Sequence, residues 1–164
     1  MVEIGITNSK VVTPHKNSPE SKLSLSTLIG DNFVQIIIPM VTVSEANGGR
    51  KKRLRRNGKT VYRGETWVDA YKRHKKQKGI VHLMLRPMRA HLKLPCHITL
   101  TRYAPDKLDR FDNLPMAFKW ILDACCEIIT GDYRPGRADD TDEIDVTYKQ
   151  ELCPEYGVKI RIQV

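Results

Sequence analysis

The sequence predicts an α+β domain, a small mixed β-sheet with helices packed on it, and three observations lead there. Short β-branched or alternating runs at Phe33–Ile38, 96–103, 144–151 and 158–164 have the period of strands. Two longer segments, 65–91 and 113–129, carry the spacing of helices. The chain has 164 residues, 40% of them hydrophobic, which suits one core closed without disulfides. The resulting order is β-α-β-α-β-β, with no internal repeat.

Taken in order, residues 1–32 are rich in Ser, Thr, Lys, Asn and Pro and offer only short apolar runs. They are expected to form a mobile leader or loosely docked arm, with the domain proper spanning 33–164. FVQIII, closed by Pro39, is the first core strand. Residues 44–64, polar and punctuated by glycine, are expected to form a loop. Segment 65–91 is basic in its first half and apolar in its second; Gly79 and Pro87 are expected to kink it or split it in two. In 96–103, Ile98 and Leu100 share one face. The closing strands, 144–151 and 158–164, flank a turn at Tyr156-Gly157.

Charge narrows the class of partner. The formal net charge is +9, and nearly half of the 28 Lys and Arg residues fall between Arg50 and Lys78. Arg50, Lys51, Lys52, Arg53, Arg55 and Arg56 would form a phosphate-contacting arm, and Lys72, Arg73, Lys75 and Lys76 a basic helical face. Aromatic interleaving is limited to Tyr62, Trp67 and Tyr71, so recognition of phosphate geometry and shape is expected rather than base reading. A solvated charged face is the plainer alternative. No apolar stretch approaches a membrane span, and residues 1–32 lack an apolar core of the length expected of a signal peptide. Cys96, Cys125, Cys126 and Cys153 show no paired spacing and are expected to be reduced thiols, mostly buried, in a cytoplasmic protein. The five histidines are scattered, and zinc is not expected.

The segment 106–130 and the acidic loop after it are the most informative. With Asn113 to Ile129 helical, Leu114, Ala117, Phe118, Ile121, Leu122, Cys125, Ile128 and Ile129 fall on one broad face. Asp112, Met116, Lys119 and Asp123 gather within roughly 60° on the other. Pro115 is tolerated in the first turn. By itself this pattern is a capped helix with an exposed Lys119–Asp123 pair one turn apart. The surrounding acid adds a second meaning: Asp109 lies just upstream, and GDYRPGRADDTDEID follows the helix. Carboxylates concentrated in a basic protein suit a hard divalent cation.

LDRFDNL, FKWILDA and ADDTDEI together resemble the RusA-like Holliday-junction resolvases and their phage-encoded relatives. LTRYAP, YKQ and the last strand after YGV resemble phage members too, so the likeness covers about 33–164. It implies a Mg²⁺-dependent endodeoxyribonuclease, with Mn²⁺ as a substitute, that acts on Holliday junctions or related branched DNA in recombination and repair. It also implies a cytoplasmic homodimer of bacterial or phage origin. Asp109, Asp112, Asp139 and Asp140 would be the metal ligands, with Asp112, Asp140 and Lys119 catalytic and Asn113 and Asp123 supporting. Two departures stand out. Arg110 occupies the place of the first Asp of a strict Asp-x-Asp, so Asp109 serves from one residue earlier. The stretch from Asn113 to Lys119 is longer than the family's shortest by almost one helical turn. A RusA-like DNA-binding protein without catalysis, a metal ligand lost, is the alternative these departures raise.

Overall fold

The computed structural model describes residues 23–44, 65–134 and 141–164 in full and the backbone of 52–56 and 59–63. Its architecture is α+β: a five-stranded mixed sheet with two helices against one face. The elements are β1 (Ser26–Ile29), β2 (Phe33–Ile38), β3 (Lys52–Arg56), β4 (Lys59–Arg63), α1 (Trp67–Leu85), a 3₁₀ helix (Arg86–His91), β5 (Cys96–Ala104), α2 (Asn113–Thr130), β6 (Ile144–Leu152) and β7 (Gly157–Gln163). The main sheet has the order β1-β2-β7-β5-β6, and only β5–β6 is parallel.

Alternation decides which face is buried. Val34, Ile36 and Ile38 of β2 sit opposite Ile162, Ile160 and Val158 of β7, and the same β7 residues meet Ile98, Leu100 and Arg102 of β5. All six apolar residues of β2 and β7, and both of β5, are buried. The alternate residues are mostly half-buried and, Ile37 apart, polar or aromatic; there Arg161 lies over the Phe33 ring at 4.1 Å. Val81 and Leu85 of α1, and Leu114, Phe118, Ile121, Cys125 and Ile128 of α2, close the core from above. Phe118 also stacks on Tyr148 of β6.

Both helices run in the same direction. His74 stacks on Trp120 with ring centroids 4.3 Å apart, and further along Lys78 and His82 both reach Glu127. The contacts therefore climb together on the two helices, and their N-termini share one end of the molecule. Thr66 caps α1 in a reciprocal capping box with Asp69.

Three expectations change. The sheet begins before Phe33: Ser26–Ile29 pairs antiparallel with β2 as an exposed edge strand. Residues 52–63 contain an antiparallel hairpin, β3–β4, where a loop was expected. The Asn57-Gly58 dipeptide between KRLRR and KTVYR is the hairpin signal that the charge density obscured. Gly79 does not break α1, because it is exposed on the helix surface and costs only some propensity. Pro87 does end the α-helix, standing in the first turn of the 3₁₀ helix. No helix among the described residues is long and apolar enough to cross a membrane.

Candidate functional site

The carboxyl ends of β2, β5 and β6 lie at the same end of the sheet as the N-termini of α1 and α2, and the segment 105–112 crosses that end. Three side chains hold it. Arg102, whose side chain is only 3% exposed, continues the core-facing line of β5. Its Nη2 donates to Asp106 Oδ1 at 3.1 Å, Nη1 donates to the Asp106 carbonyl, and Nε donates to Thr42 Oγ1 at 3.2 Å. A buried guanidinium left without such partners would be costly, so these bonds fix the segment to the strand. Gln150 of β6 does the same for Leu108: its amide accepts from the Leu108 N–H at 2.9 Å and donates to the Leu108 carbonyl at 2.8 Å. Ser44 donates to Asn113 Oδ1 at 2.6 Å, tying the chain after β2 to the start of α2. The result is an open cleft between Val41–Ser44 and Asp106–Asp109, with Arg102 at its base and Tyr156 on its rim.

Two of the aspartates at this end, Asp109 and Asp112, differ in what they do. Asp109 Oδ1 accepts from the backbone amides of Phe111 and Asp112, each at 3.0 Å, and its carbonyl accepts from Leu114 N at 2.9 Å. The amide bonds hold its carboxyl below the ordinary carboxylate range, the Asp112 amide contributing most. Asp109 thus fixes the turn that leads into α2, its side chain bonding amides ahead of the helix and its carbonyl an amide of the first turn. Asp112, at the formal cap position, has helical backbone angles and makes no capping hydrogen bond with its side chain. It is exposed, and it begins an outward line along α2 that continues through Met116 and Lys119 to the half-buried Asp123.

Asp139 and Asp140 lie outside the described residues, as do Arg50 and Lys51. The nearest described residues on either side of that pair, up to Arg134 and from Thr141, stand at the opposite end of the domain. Gly131 ends α2 in the left-handed conformation, about 27 Å from Asp112 by the rise of an 18-residue helix. On the far side of the pair, the Glu143 carbonyl accepts from Cys96 N at 2.9 Å, at the beginning of β5. Among the described residues no three of His, Cys, Asp and Glu converge as a metal-binding group.

Of the basic residues, Lys52, Arg53, Arg55 and Arg56 fall in β3. Lys72, Lys75 and Lys76 are exposed on α1. Arg73 differs from them: its guanidinium is engaged by Glu65 through two bonds of 3.0 and 2.8 Å. Arg102 and Gln150 were not legible from sequence, because an Arg and a Gln in alternating strands look like ordinary surface residues. At the far end, Glu127 is buried on α2 and accepts from Lys78 at 2.6 Å, with His82 Nε2 at 2.9 Å from its other oxygen. Cys96, Cys125 and Cys126 are buried, and burial pushes the Cys125 thiol well above its ordinary value. Comparison with protein-family models gives no match, and comparison with curated proteins gives none either.

Proposed function

We propose that this chain binds branched DNA, four-way junctions among them, as a homodimer and hydrolyses phosphodiester bonds with Mg²⁺. The observation that supports this best is Asp112. Its carboxylate is exposed, makes no cap bond, and begins a line with Lys119 at the end of the domain where α1 presents exposed lysines. Asp112 would hold the ion, together with the Asp109 oxygen that takes part in neither amide bond; the resemblance adds Asp139 and Asp140. Two carboxylates suit Mg²⁺, which keeps most of its water. An ion held there would supply neutralisation of phosphate charge and a water of lowered pKa. Lys119 would meet the phosphate as a compact ammonium charge, and Lys72, Lys75 and Lys76 would take phosphates further along the strand.

A second reading, a branched-DNA binder without catalysis, is favoured by two observations. Asp109 is committed to the turn that leads into α2, and the described flanks of Asp139 and Asp140 stand at the other end of α2. Labelled junction, duplex and single-stranded DNA incubated with purified protein in Mg²⁺ or EDTA separate the two. Mg²⁺-dependent cuts in the junction are expected. Asp112→Asn should abolish them and leave gel-shift affinity intact, and Lys119→Ala should slow them by about 100-fold while shifting stability by at most about 0.5 kcal/mol. Tight junction binding without cuts in either metal condition would leave the binder.

A further inference from the structure

The first two turns of α1 present an arrangement that phosphate binding does not require. Trp67 is 81% exposed and Tyr71, one turn on, is 60% exposed. At 100° per residue, Trp67 lies on the same line of α1 as Leu85 and within about 20° of His74, both buried against the rest of the domain. Trp67 thus belongs to the helix's inward stripe, yet it stands in solvent because α1 begins beyond the layer it packs on. His74 is level with Trp120, and α1 and α2 run in parallel. Two turns back, about 10 Å along each helix, Trp67 is level with Asn113. The indole and phenol therefore overhang the end of the domain that carries Asp109 and Asp112. Phe111, 82% exposed between those aspartates, is a third bare aromatic ring at that end.

The charge around the rings selects the occupant. Lys75 is exposed within about 40° of Tyr71 round the helix, Lys72 and Lys76 are exposed further round, and the one acid in 67–78, Asp69, is used in the capping box. Flat aromatic faces interleaved with ammonium groups match a chain of bases joined by phosphates. Every base offers a π-face to such a platform, and each stacked base is held largely without regard to its identity. A duplex keeps its bases stacked on one another and along its length offers phosphates and base edges but no free base faces.

We infer that Trp67 and Tyr71 form a stacking platform for unpaired nucleotides of a DNA strand, with Lys75 holding the adjoining phosphate. This rests on the reading of the chain as a DNA-binding protein and adds the form of DNA that it grips at this end. The platform would hold bases opened at a branch point beside the aspartates, so that the strand is drawn to Asp112 in single-stranded form.

The test titrates the full chain with oligo(dT) of about 15 nucleotides, with the same length of duplex, and with vesicles of anionic lipid, all in EDTA. Intrinsic fluorescence and anisotropy of labelled DNA are followed. Oligo(dT) should quench the exposed tryptophan, and the quench should disappear in Trp67→Phe while affinity is largely kept. Trp67→Ala and Tyr71→Ala should each weaken oligo(dT) binding by about tenfold or more and duplex binding by less than about twofold, with unchanged melting temperatures. Equal losses on both DNA forms, or none on either, would overturn the platform while leaving junction binding to stand. Quenching by lipid vesicles but not by oligo(dT) would overturn it in favour of a membrane surface. A chain that retards no DNA form, junction included, would remove the DNA-binding reading and the platform with it.

Discussion

The two ends of α2 are built on opposite plans. From Ile121 to Ile129 the helix is buried nearly all round, so that even Glu127 lies inside and is met by Lys78 and His82. At the other end, Asp109 to Asn113 stand in or near solvent, and the order there comes from hydrogen bonds to Arg102, Gln150 and Ser44. One end is fixed by packing and tolerates a carboxylate because it is paired. The other is fixed by polar side chains reaching from the sheet and leaves a carboxylate bare. Stability resides at the first end, and the chemistry is proposed for the second.

This contrast can be broken by substitution. Phe118→Ala should be the most damaging, since the ring is fully buried against Tyr148; about 3–5 kcal/mol of unfolding free energy should be lost in urea titration. Glu127→Ala should cost about 2 kcal/mol, below the full toll of a broken buried pair, because Lys78 and His82 each keep over a quarter of their exposure. If Glu127→Ala melts like the parent, the buried pair contributes nothing and the contrast fails at that end. The smallest effects belong to the exposed end. Asp109→Ala should lower the melting temperature by a few degrees, and Asp112→Ala should leave it unchanged, because only the Asp109 side chain bonds the amides of the turn that leads into α2. The Asp109 carboxyl is depressed in the folded state. Its contribution is therefore complete at neutral pH and is lost as pH falls through its folded value, below the ordinary carboxylate range. Melting curves of the parent and Asp109→Ala should converge on acidification; a constant gap would mean that the turn does not depend on charge.

The same contrast explains what could be read from sequence. α2 was legible almost to the residue, since its apolar stripe and the Pro115 and Gly131 punctuation agree with one another. β2, β5, β6 and β7 were legible through their alternation. Charge outweighed pattern in 52–63, where the Asn57-Gly58 signal pointed to a hairpin, and the exposed β1 offers no buried face from which to read a strand. Composition at the acidic end could be read, but the division of labour there could not. Asp109 and Asp112 are the same residue type three positions apart, and only backbone angles decide which one holds the turn. The partners of Arg102 and Gln150 depend on a sheet order that brings distant segments side by side.

That sheet order has a consequence for how the molecule is made. β7, the last strand in sequence, occupies the centre of the sheet and pairs with both β2 and β5. Val34 meets Ile162 across more than a hundred intervening residues, so the chain must close a very long loop before the two halves of the sheet are joined. During synthesis, β1–β2 and β5–β6 emerge as separate pieces, each showing an apolar edge, and they wait for a strand that the ribosome delivers late. A chain halted before Gly157 has no seam between those pieces. It would expose the edges of β2 and β5 together, which makes the nascent form, rather than the finished domain, the species most in need of a chaperone.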